Sequence, residues 1–240
     1  MATGKPIDNK DSDDHVKILA LDTSATPGSL ALLTGEQIVY EAALPDQRRT
    51  TESFASEIQR ALQACSWSPR EVELLGICAG PGSFTGLRIG ATVAKTYAYA
   101  TGCNVIALDT LDVLAAQPCV STNSLWVVLD AQRQQLFAAQ YDASDLTQTP
   151  RRLTKTRIVD ARPFLAARTT ADLLTGSGLH RWAKEVVTPV SAPTSWSINA
   201  AKLGQLTRQA YQRGERTDIW QLTPDYGRAS AAEEKRTSEF

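Results

Sequence analysis

The stretch that decides the fold is CAGPGSFTGLRIG, residues 78–90. Four glycines and a proline surround Ser83 and Thr85, and Arg88 follows. A Walker loop would need a lysine to neutralise the outer phosphates and a hydroxyl to hold Mg²⁺, but Gly86-Leu87-Arg88 stands at that place. The glycines are also out of register with the GxGxxG dinucleotide fingerprint. Two interpretations stay open: an anion site at the N-terminus of the helix that follows, or a turn built for close approach.

The helix predicted over residues 83–100 has one face that carries only glycine and alanine side chains. Small side chains recur every four residues and form what we call the small-residue stripe: Gly86, Gly90, Ala94 and Ala98. Such a stripe lets a second helix backbone come close. We expect it to face a partner helix, while a bulkier face packs on the parent sheet: Ile89, Val93 and Tyr97. The alternative is that the stripe packs on the preceding helix of its own subdomain.

Hydrophobic periodicity around this loop switches repeatedly between two and 3.6 residues. Strands are predicted over 16–21, 29–33, 37–43, 74–79, 105–108, 125–129, 136–141, 153–159 and 173–174. Helices are predicted over 50–65, 83–100, 110–116, 162–168 and 199–213. Thr50 is the expected N-cap of the first helix, Phe54 lies on its apolar face, and Thr110 is the expected cap of the third. The order strand, strand, strand, helix, strand, helix occurs roughly twice, which predicts two similar α/β halves meeting near residues 112–123.

Composition limits the function further. The 240 residues are 42% hydrophobic and 21% charged, with a formal net charge of −1, so no basic field indicates nucleic-acid binding by the whole molecule. The four cysteines are far apart and form no CxxC pair, which favours reduced thiols over a zinc site or a disulfide framework. No apolar run is long enough for a membrane span, so we expect a soluble, cytoplasmic protein.

The expected organisation has four parts. A polar, disordered tail over 1–15 precedes an N-terminal α/β subdomain over 16–112 that carries the partner-binding helices. A C-terminal α/β subdomain over 113–228 and a flexible tail over 229–240 complete the chain.

Asp22-Thr23-Ser24 ends the first predicted strand, where nucleotide-binding folds of the actin and hexokinase type keep a metal-associated aspartate. The three residues are either a vestige of such a nucleotide or metal site or an Asx or Ser/Thr turn that closes the strand. Only His15 and His180 exist, without metal-ligand spacing, so we expect no metal site. Gly82-Ser83 lacks the second glycine of a GxSxG elbow, and we expect no catalytic residues.

GPGSFTGLRIG, residues 80–90, resembles the signature of the bacterial TsaB (YeaZ) family. Supporting motifs follow in the family's order over roughly residues 16–228: ILALDTS (18–24), VIALDTL (105–111), VVLDAQR (127–133) and PDY (224–226). The resemblance implies two subdomains of the actin/Hsp70/sugar-kinase, RNase H-like type. One departure is Arg49-Thr50-Thr51-Glu52, where many members read Arg-His-Ser-Glu.

The resemblance also implies partners. Family members pair with the TsaD ATPase, or with themselves when TsaD is absent, through their first two long helices, and support threonylcarbamoyladenosine synthesis next to the tRNA anticodon. It implies a TsaD heterodimer with TsaE as a further partner, contact with tRNA only through the complex, no membrane, no tightly bound cofactor, and ATP used through the partner subunits. The interface residues it implies are Thr50, Phe54, Ser83, Phe84, Thr85, Gly86, Arg88, Gly90, Ala94 and Ala98.

Two functions from different classes stay open. One is a non-catalytic scaffold subunit, and the other is an active ATP-dependent phosphotransferase of the same fold. The phosphotransferase would need an acidic base and glycine-rich adenine contacts in the second half, where Gly176-Ser177-Gly178 is the one suggestive stretch.

Overall fold

The computed structural model describes residues 15–44 and 51–227. The predicted tails therefore lie outside the described residues except for His15, and so does Thr50. The first sheet has five strands: β1 (Lys17–Asp22), β2 (Ser29–Thr34), β3 (Gln37–Ala43), β4 (Leu74–Gly80) and β5 (Asn104–Asp109). They lie in the order β3-β2-β1-β4-β5; β1 is antiparallel to β2 and parallel to β4, and β4 is parallel to β5.

The second sheet repeats this arrangement in shortened form. Its strands are β6 (Thr122–Asp130), β7 (Gln135–Ala143), β8 (Arg151–Arg152), β9 (Arg157–Asp160) and β10 (Leu173–Thr175). The order is β10-β6-β7-β8, and β9 also pairs with β7. As β1 does in the first sheet, β6 pairs antiparallel with the next strand and parallel with the strand that follows the crossover. A single parallel bridge between Leu174 and Val190 stands where β5 pairs in the first sheet. The predicted duplication is confirmed.

Six helices of the described ranges cover the two sheets: α1 (Thr51–Ala64), α2 (Phe84–Thr101), α3 (Thr110–Ala115), α4 (Ala161–Ala166), α5 (Leu179–Trp182) and α6 (Ala200–Gln212). Helices α1 and α2 share one apolar core with the outer face of the first sheet, and α4 and α5 share another with the outer face of the second. Helices α3 and α6 join the inner faces of both sheets in a third core. The result is five layers that alternate helix and sheet.

Three predicted boundaries differ from the structure. The strand predicted over 153–159 is two short strands, β8 and β9, because residues 153–156 lie opposite only two residues of β7 and interrupt the ladder. The cap of α3 is Asp109, whose Oδ1 accepts from the N–H of Leu111 at 2.7 Å, and Thr110 is the first helical residue.

The C-terminal boundary also changes. Helix α6 packs on β1, β2 and β4, and Asp225 N–H donates to the carbonyl of Ala79 at 2.8 Å. Gly76 and Gly204 mark the contact, since a Cβ at Gly76 would lie 2.1 Å from Thr207 Oγ1 and one at Gly204 would lie 2.3 Å from Leu33 Cδ1. Residues 200–227 therefore belong by contact to the first half and not to the predicted 113–228 subdomain.

Candidate functional site

The glycine-rich loop is held by backbone from two distant segments of the same chain. A Cβ on Gly80, whose φ is +124°, would lie 1.9 Å from the carbonyl oxygen of Asp225. A Cβ on Gly82 would lie 2.6 Å from the carbonyl oxygen of Ser24. Real Cβ atoms essentially never come within 3.0 Å of such atoms. The glycines allow close approach, as one of the two interpretations predicted, but the approaching backbone is the chain's own.

Thr23, which follows β1, is hydrogen-bonded to the first turn of α2. Its hydroxyl donates to the carbonyl of Gly86 at 2.7 Å in a buried position. A Cβ on Gly86 would lie 1.9 Å from the carbonyl oxygen of Thr23, and one on Gly90 would lie 2.5 Å from Thr23 Oγ1. The N–H of Ser83 donates to the carbonyl of Ser24 at 2.7 Å. The segment 22–24 thus clamps the loop.

Asp22 takes part in the same clamp. It is fully buried, and its Oδ1 accepts from the N–H of Ser24 at 2.9 Å and from the hydroxyl of Ser24 at 2.6 Å. Burial and the carboxylate of Asp22 together raise the pKa of the Cys78 thiol well above its usual range. These contacts are those of a turn that closes a strand, which favours the Asx-turn alternative over a vestigial metal or nucleotide site for Asp22 and Thr23.

The prediction that the small-residue stripe faces outward is wrong. Gly86, Gly90, Ala94 and Ala98 are all buried inside the first half, with Ala94 fully inaccessible. The stripe lets α2 lie close to its own sheet and to the end of β1. Small residues do permit a close approach, as predicted, but the approaching segment belongs to the same chain and not to a partner. The face of α2 formed by Ile89, Val93 and Tyr97 was expected to pack on the sheet. Two of its residues, Val93 and Tyr97, instead line a surface groove.

The remaining predicted interface residues divide by exposure. Ser83, Phe84, Thr85 and Arg88 are exposed, whereas Phe54 is only 2% exposed and belongs to the core under α1.

Two of the exposed side chains form a cluster with Tyr226. The ring of Phe84 lies 4.6 Å from that of Tyr226, the Arg88 guanidinium lies 3.8 Å from the Phe84 ring centre, and Arg88 Nε donates to Tyr226 Oη at 3.1 Å. The cluster joins the start of α2 to the C-terminal segment.

An apolar groove of about 510 Å³ runs between α1 and α2. We call it the α1–α2 groove; it is lined by Ala55, Ile58, Gln59, Leu62, Gln63, Trp67, Pro69, Val93, Thr96, Tyr97 and Ala100. The Tyr97 hydroxyl donates to the carbonyl of Pro69 at 2.8 Å and fixes one wall. Sequence reasoning missed this surface because residues of α1 and α2 are up to 45 positions apart. The sequence feature that could have predicted this groove is that α2 has apolar residues on more than one face.

A larger cleft of about 710 Å³ lies between the two halves. Ser24 reaches it, but Asp22 and Thr23 do not. The buried hydroxyl of Thr110 lines it and has no hydrogen-bond partner among the described residues. Gln132 and Arg133 also line it. With Gln134 they form the β6–β7 turn, with φ of 61°, 49° and 58°.

Two contacts involve polar side chains that line this cleft. Asp130 Oδ1 accepts from the N–H of Gln132 at 2.8 Å, which is the contact of an Asx turn at the end of β6. His180 Nε2 lies 3.3 Å from Ser197 Oγ. Within residues 15–44 and 51–227, no group of three or more His, Cys, Asp or Glu side chains is arranged to hold a metal ion.

A cluster of charged groups ties the two halves together beside the cleft. Arg152 Nη2 lies 2.8 Å from Asp109 Oδ1 and 2.8 Å from Asp112 Oδ1, and the Tyr141 hydroxyl donates to Asp112 Oδ1 at 2.7 Å. Burial raises the pKa of the Asp109 carboxyl although Arg152 acts in the opposite direction. Burial and the neighbouring Asp112 raise the pKa of Tyr141 as well. The carboxylates belong to the first half and their partners to the second. The cluster therefore holds the two halves together through ion pairs and hydrogen bonds.

Comparisons with known proteins agree with this architecture. Residues 44–156, which include α1 and α2, match the family model of TsaD, tRNA N6-adenosine threonylcarbamoyltransferase. The tRNA threonylcarbamoyladenosine biosynthesis protein TsaB of Bacillus subtilis is 26% identical over 224 residues, which are 91% of this chain and 96% of that protein. The TsaB of Haemophilus influenzae is 32% identical over 130 residues, 52% of this chain and 54% of that protein.

The solved structure of YeaZ from Pseudomonas aeruginosa has a TM-score of 0.71 at 21% identity, over 88% of this chain and 99% of that chain. This likeness shows the fold, and the predicted arrangement of two similar α/β subdomains is confirmed. The described helices include none that is both long and apolar enough to cross a membrane.

Proposed function

We propose that this chain, which is similar to TsaB of Bacillus subtilis over 91% of its length, is a non-catalytic scaffold subunit in tRNA threonylcarbamoyladenosine synthesis. In this proposal it pairs with TsaD and supports ATP-dependent threonylcarbamoyl transfer to the adenosine next to the anticodon. TsaE is a further subunit, and a second copy of the chain takes the place of TsaD when the chain is alone.

The observation that carries the proposal is the open α1–α2 groove. It presents Trp67, Tyr97 and Ala100 to solvent between two helices that are otherwise packed on their own sheet. Burial of apolar and aromatic side chains in such a groove is the main source of affinity in protein interfaces.

The occupant we propose is the corresponding helix pair of a TsaD-type subunit. The TsaD family model matches residues 44–156 of this chain, so a TsaD-type subunit has a segment similar to α1 and α2. Two similar surfaces can pair about a two-fold axis, with each groove receiving the other's helix, as in an isologous dimer. The same geometry supports the proposed pairing of the chain with itself.

Support for the non-catalytic role comes from the use of Asp22. Both hydrogen-bond donors of Ser24 hold its Oδ1 inside the strand-closing turn, and the cleft is reached by Ser24 instead. A carboxylate that served a metal-bound nucleotide would have to face the cleft. We therefore also propose that ATP is used by the partner subunits and that this chain binds no nucleotide tightly.

Charge placed in the α1–α2 groove tests the pairing. Ala55→Glu and Ala100→Glu each bring a carboxylate into the groove from an exposed position, and Ala64→Glu is the control, exposed on α1 but outside the groove. Burial of an unpaired carboxylate is strongly unfavourable, so the groove variants should bind TsaD at least about tenfold more weakly, equivalent to about 1.4 kcal/mol or more.

Binding of purified TsaD is measured by calorimetry, and threonylcarbamoyladenosine formation is measured in the reconstituted reaction. Both should fall for the groove variants and stay at the wild-type level for Ala64→Glu. Equal affinity of all three variants would refute the groove as the pairing surface. Tight binding of ATP·Mg²⁺ by the isolated chain, with turnover lost in Asp22→Ala, would favour the phosphotransferase alternative.

A further inference from the structure

The second half carries a local excess of positive charge that the whole-chain balance hides. Residues 151–184 contain eight Lys and Arg against two Asp and no Glu, although the chain has a formal net charge of −1. The overall charge excludes a basic field over the whole molecule, but it leaves room for a local basic patch such as this segment. Its helices α4 and α5 cover the outer face of the second sheet.

Four arginines of this segment stack over two buried tryptophan rings. Trp126 and Trp182 are only 5% and 3% exposed, and arginine guanidinium groups lie over both rings. We call the four arginines the arginine face: Arg157 and Arg168 over Trp126, at 5.7 and 4.5 Å from the ring centre, and Arg162 and Arg181 over Trp182, at 5.7 and 5.0 Å. The rings form the floor of the face, and the guanidinium groups form its surface.

Among the described residues, two of the four arginines lie near a carboxylate and two do not. Burial acts to raise the pKa of the Asp172 carboxyl, but hydrogen bonds from Ser124 and Thr169 and the positive charge of Arg168 lower it. Arg162 Nε lies 3.4 Å from Glu185 Oε2, in a pair whose two side chains are 70% and 50% exposed. Arg157 and Arg181 are exposed and make no ion pair with any residue of the described ranges. Contact with an aromatic ring limits the freedom of each guanidinium, so less conformational entropy is lost when it binds a ligand.

We infer that the arginine face contacts the phosphate backbone of the RNA substrate, an inference that rests on the proposed function for the identity of that RNA. Guanidinium groups bind phosphate oxygens with two N–H donors at once, and arginine also stacks on rings, which a lysine ammonium does less well. Four such groups supply at most about four phosphate contacts, and affinity for nucleic acid grows with the number of phosphates neutralised. The face alone gives weak binding, and the partner subunits add the remainder.

The test removes two contacts from exposed positions without touching the tryptophan floor. The variant is Arg157→Gln combined with Arg181→Gln, and the matched control is Arg216→Gln, because Arg216 is exposed and lies 3.5 Å from the ring centre of Tyr211 on the first half. Binding of tRNA is measured against KCl concentration for the complex with TsaD and for the isolated chain. Circular dichroism and complex assembly are recorded for each variant.

The double variant should lower the slope of log affinity against log salt by about 1–2, because each phosphate contact contributes about 0.7–0.9. At about 0.1 M salt this corresponds to roughly tenfold to hundredfold weaker binding of tRNA by the complex. The control and complex assembly should not change. An unchanged salt slope, or an equal loss in Arg216→Gln, would overturn the inference.

Two other occupants are distinguished by the same variants. Loss of TsaD binding in the double variant would identify a protein contact, and loss of binding to phosphatidylserine vesicles with tRNA affinity retained would identify a membrane surface; either result overturns the inference. If the chain does not pair with TsaD at all, the proposed function fails. The salt slope of the isolated chain still decides the role of the arginine face in that case.

Discussion

Substitution of Gly86 by alanine tests the packing that the structure assigns to the small-residue stripe. The added Cβ would lie 1.9 Å from the carbonyl oxygen of Thr23, and relief to 3.0 Å requires the backbone of β1 and α2 to separate. Overpacking of this kind destabilises by about 1–3 kcal/mol, and alanine returns about 0.5–1 kcal/mol through helix propensity. Since the obstacle is backbone, we expect a net loss of about 2 kcal/mol, or roughly 4–8 °C in Tm for a chain of this size.

Gly90→Ala is the comparison for Gly86→Ala, because the atom that a new Cβ would meet belongs to the side chain of Thr23 and not to its backbone. That Cβ would lie 2.5 Å from Thr23 Oγ1, and the other Thr23 atoms are at least 3.7 Å away. Removal of that hydroxyl in Thr23→Ala should therefore rescue Gly90→Ala, with a coupling free energy of about 2 kcal/mol. The same removal should not rescue Gly86→Ala, because the carbonyl oxygen of Thr23 stays in place.

Urea denaturation of the three single and two double variants, followed by tryptophan fluorescence and far-UV circular dichroism, measures the free energies of unfolding. Self-association is measured in parallel by sedimentation. If Gly86→Ala and Gly90→Ala unfold at the wild-type midpoint and instead lose self-association, the stripe faces a partner and the packing described here is wrong.

Three further predictions concern the junction, the cleft and the edge of the first half. Arg152→Met leaves Asp112 without its cation and should lower the free energy of unfolding by about 1–3 kcal/mol, less than for a fully buried pair because the Arg152 side chain is 28% exposed; unchanged urea stability would contradict it. Thr110→Val replaces a buried hydroxyl that has no partner within the described residues and should not lower stability; a loss above about 1 kcal/mol would reveal a bound water or ligand in the cleft. The ion pair with Lys17 and hydrogen bonds from Ser68 lower the pKa of Glu71 from 4.5 to about 2. The folded state therefore gains stability above pH 4.5 and loses it as the pH falls toward 2, and the Tm difference between wild type and Glu71→Gln should shrink over that interval; a constant difference would refute the assignment.

Much of the local structure could be predicted because it depends on neighbouring residues. The strands 29–33, 37–43 and 74–79 and the helix over 83–100 follow from periodicity. Ser83 caps this helix, α2, by accepting from the N–H of Gly86. The duplicated order of elements was also visible. The division of the predicted strand 153–159 into β8 and β9 was not visible, because an edge strand pairs on one side only and leaves a weak alternation.

The sequence by itself determined that this chain forms two α/β halves and that the glycines of residues 78–90 allow a close approach, since both depend on short-range pattern and on side-chain size. Only the tertiary structure decided what approaches. The carbonyls of Thr23, Ser24 and Asp225 lie tens of residues or more from the glycines they touch, and a stripe of glycine and alanine is equally compatible with burial in its own fold and with a partner helix. Small apolar residues carry no polarity signal that separates the two, so the orientation of α2 is settled by the strands and the C-terminal segment packed around it.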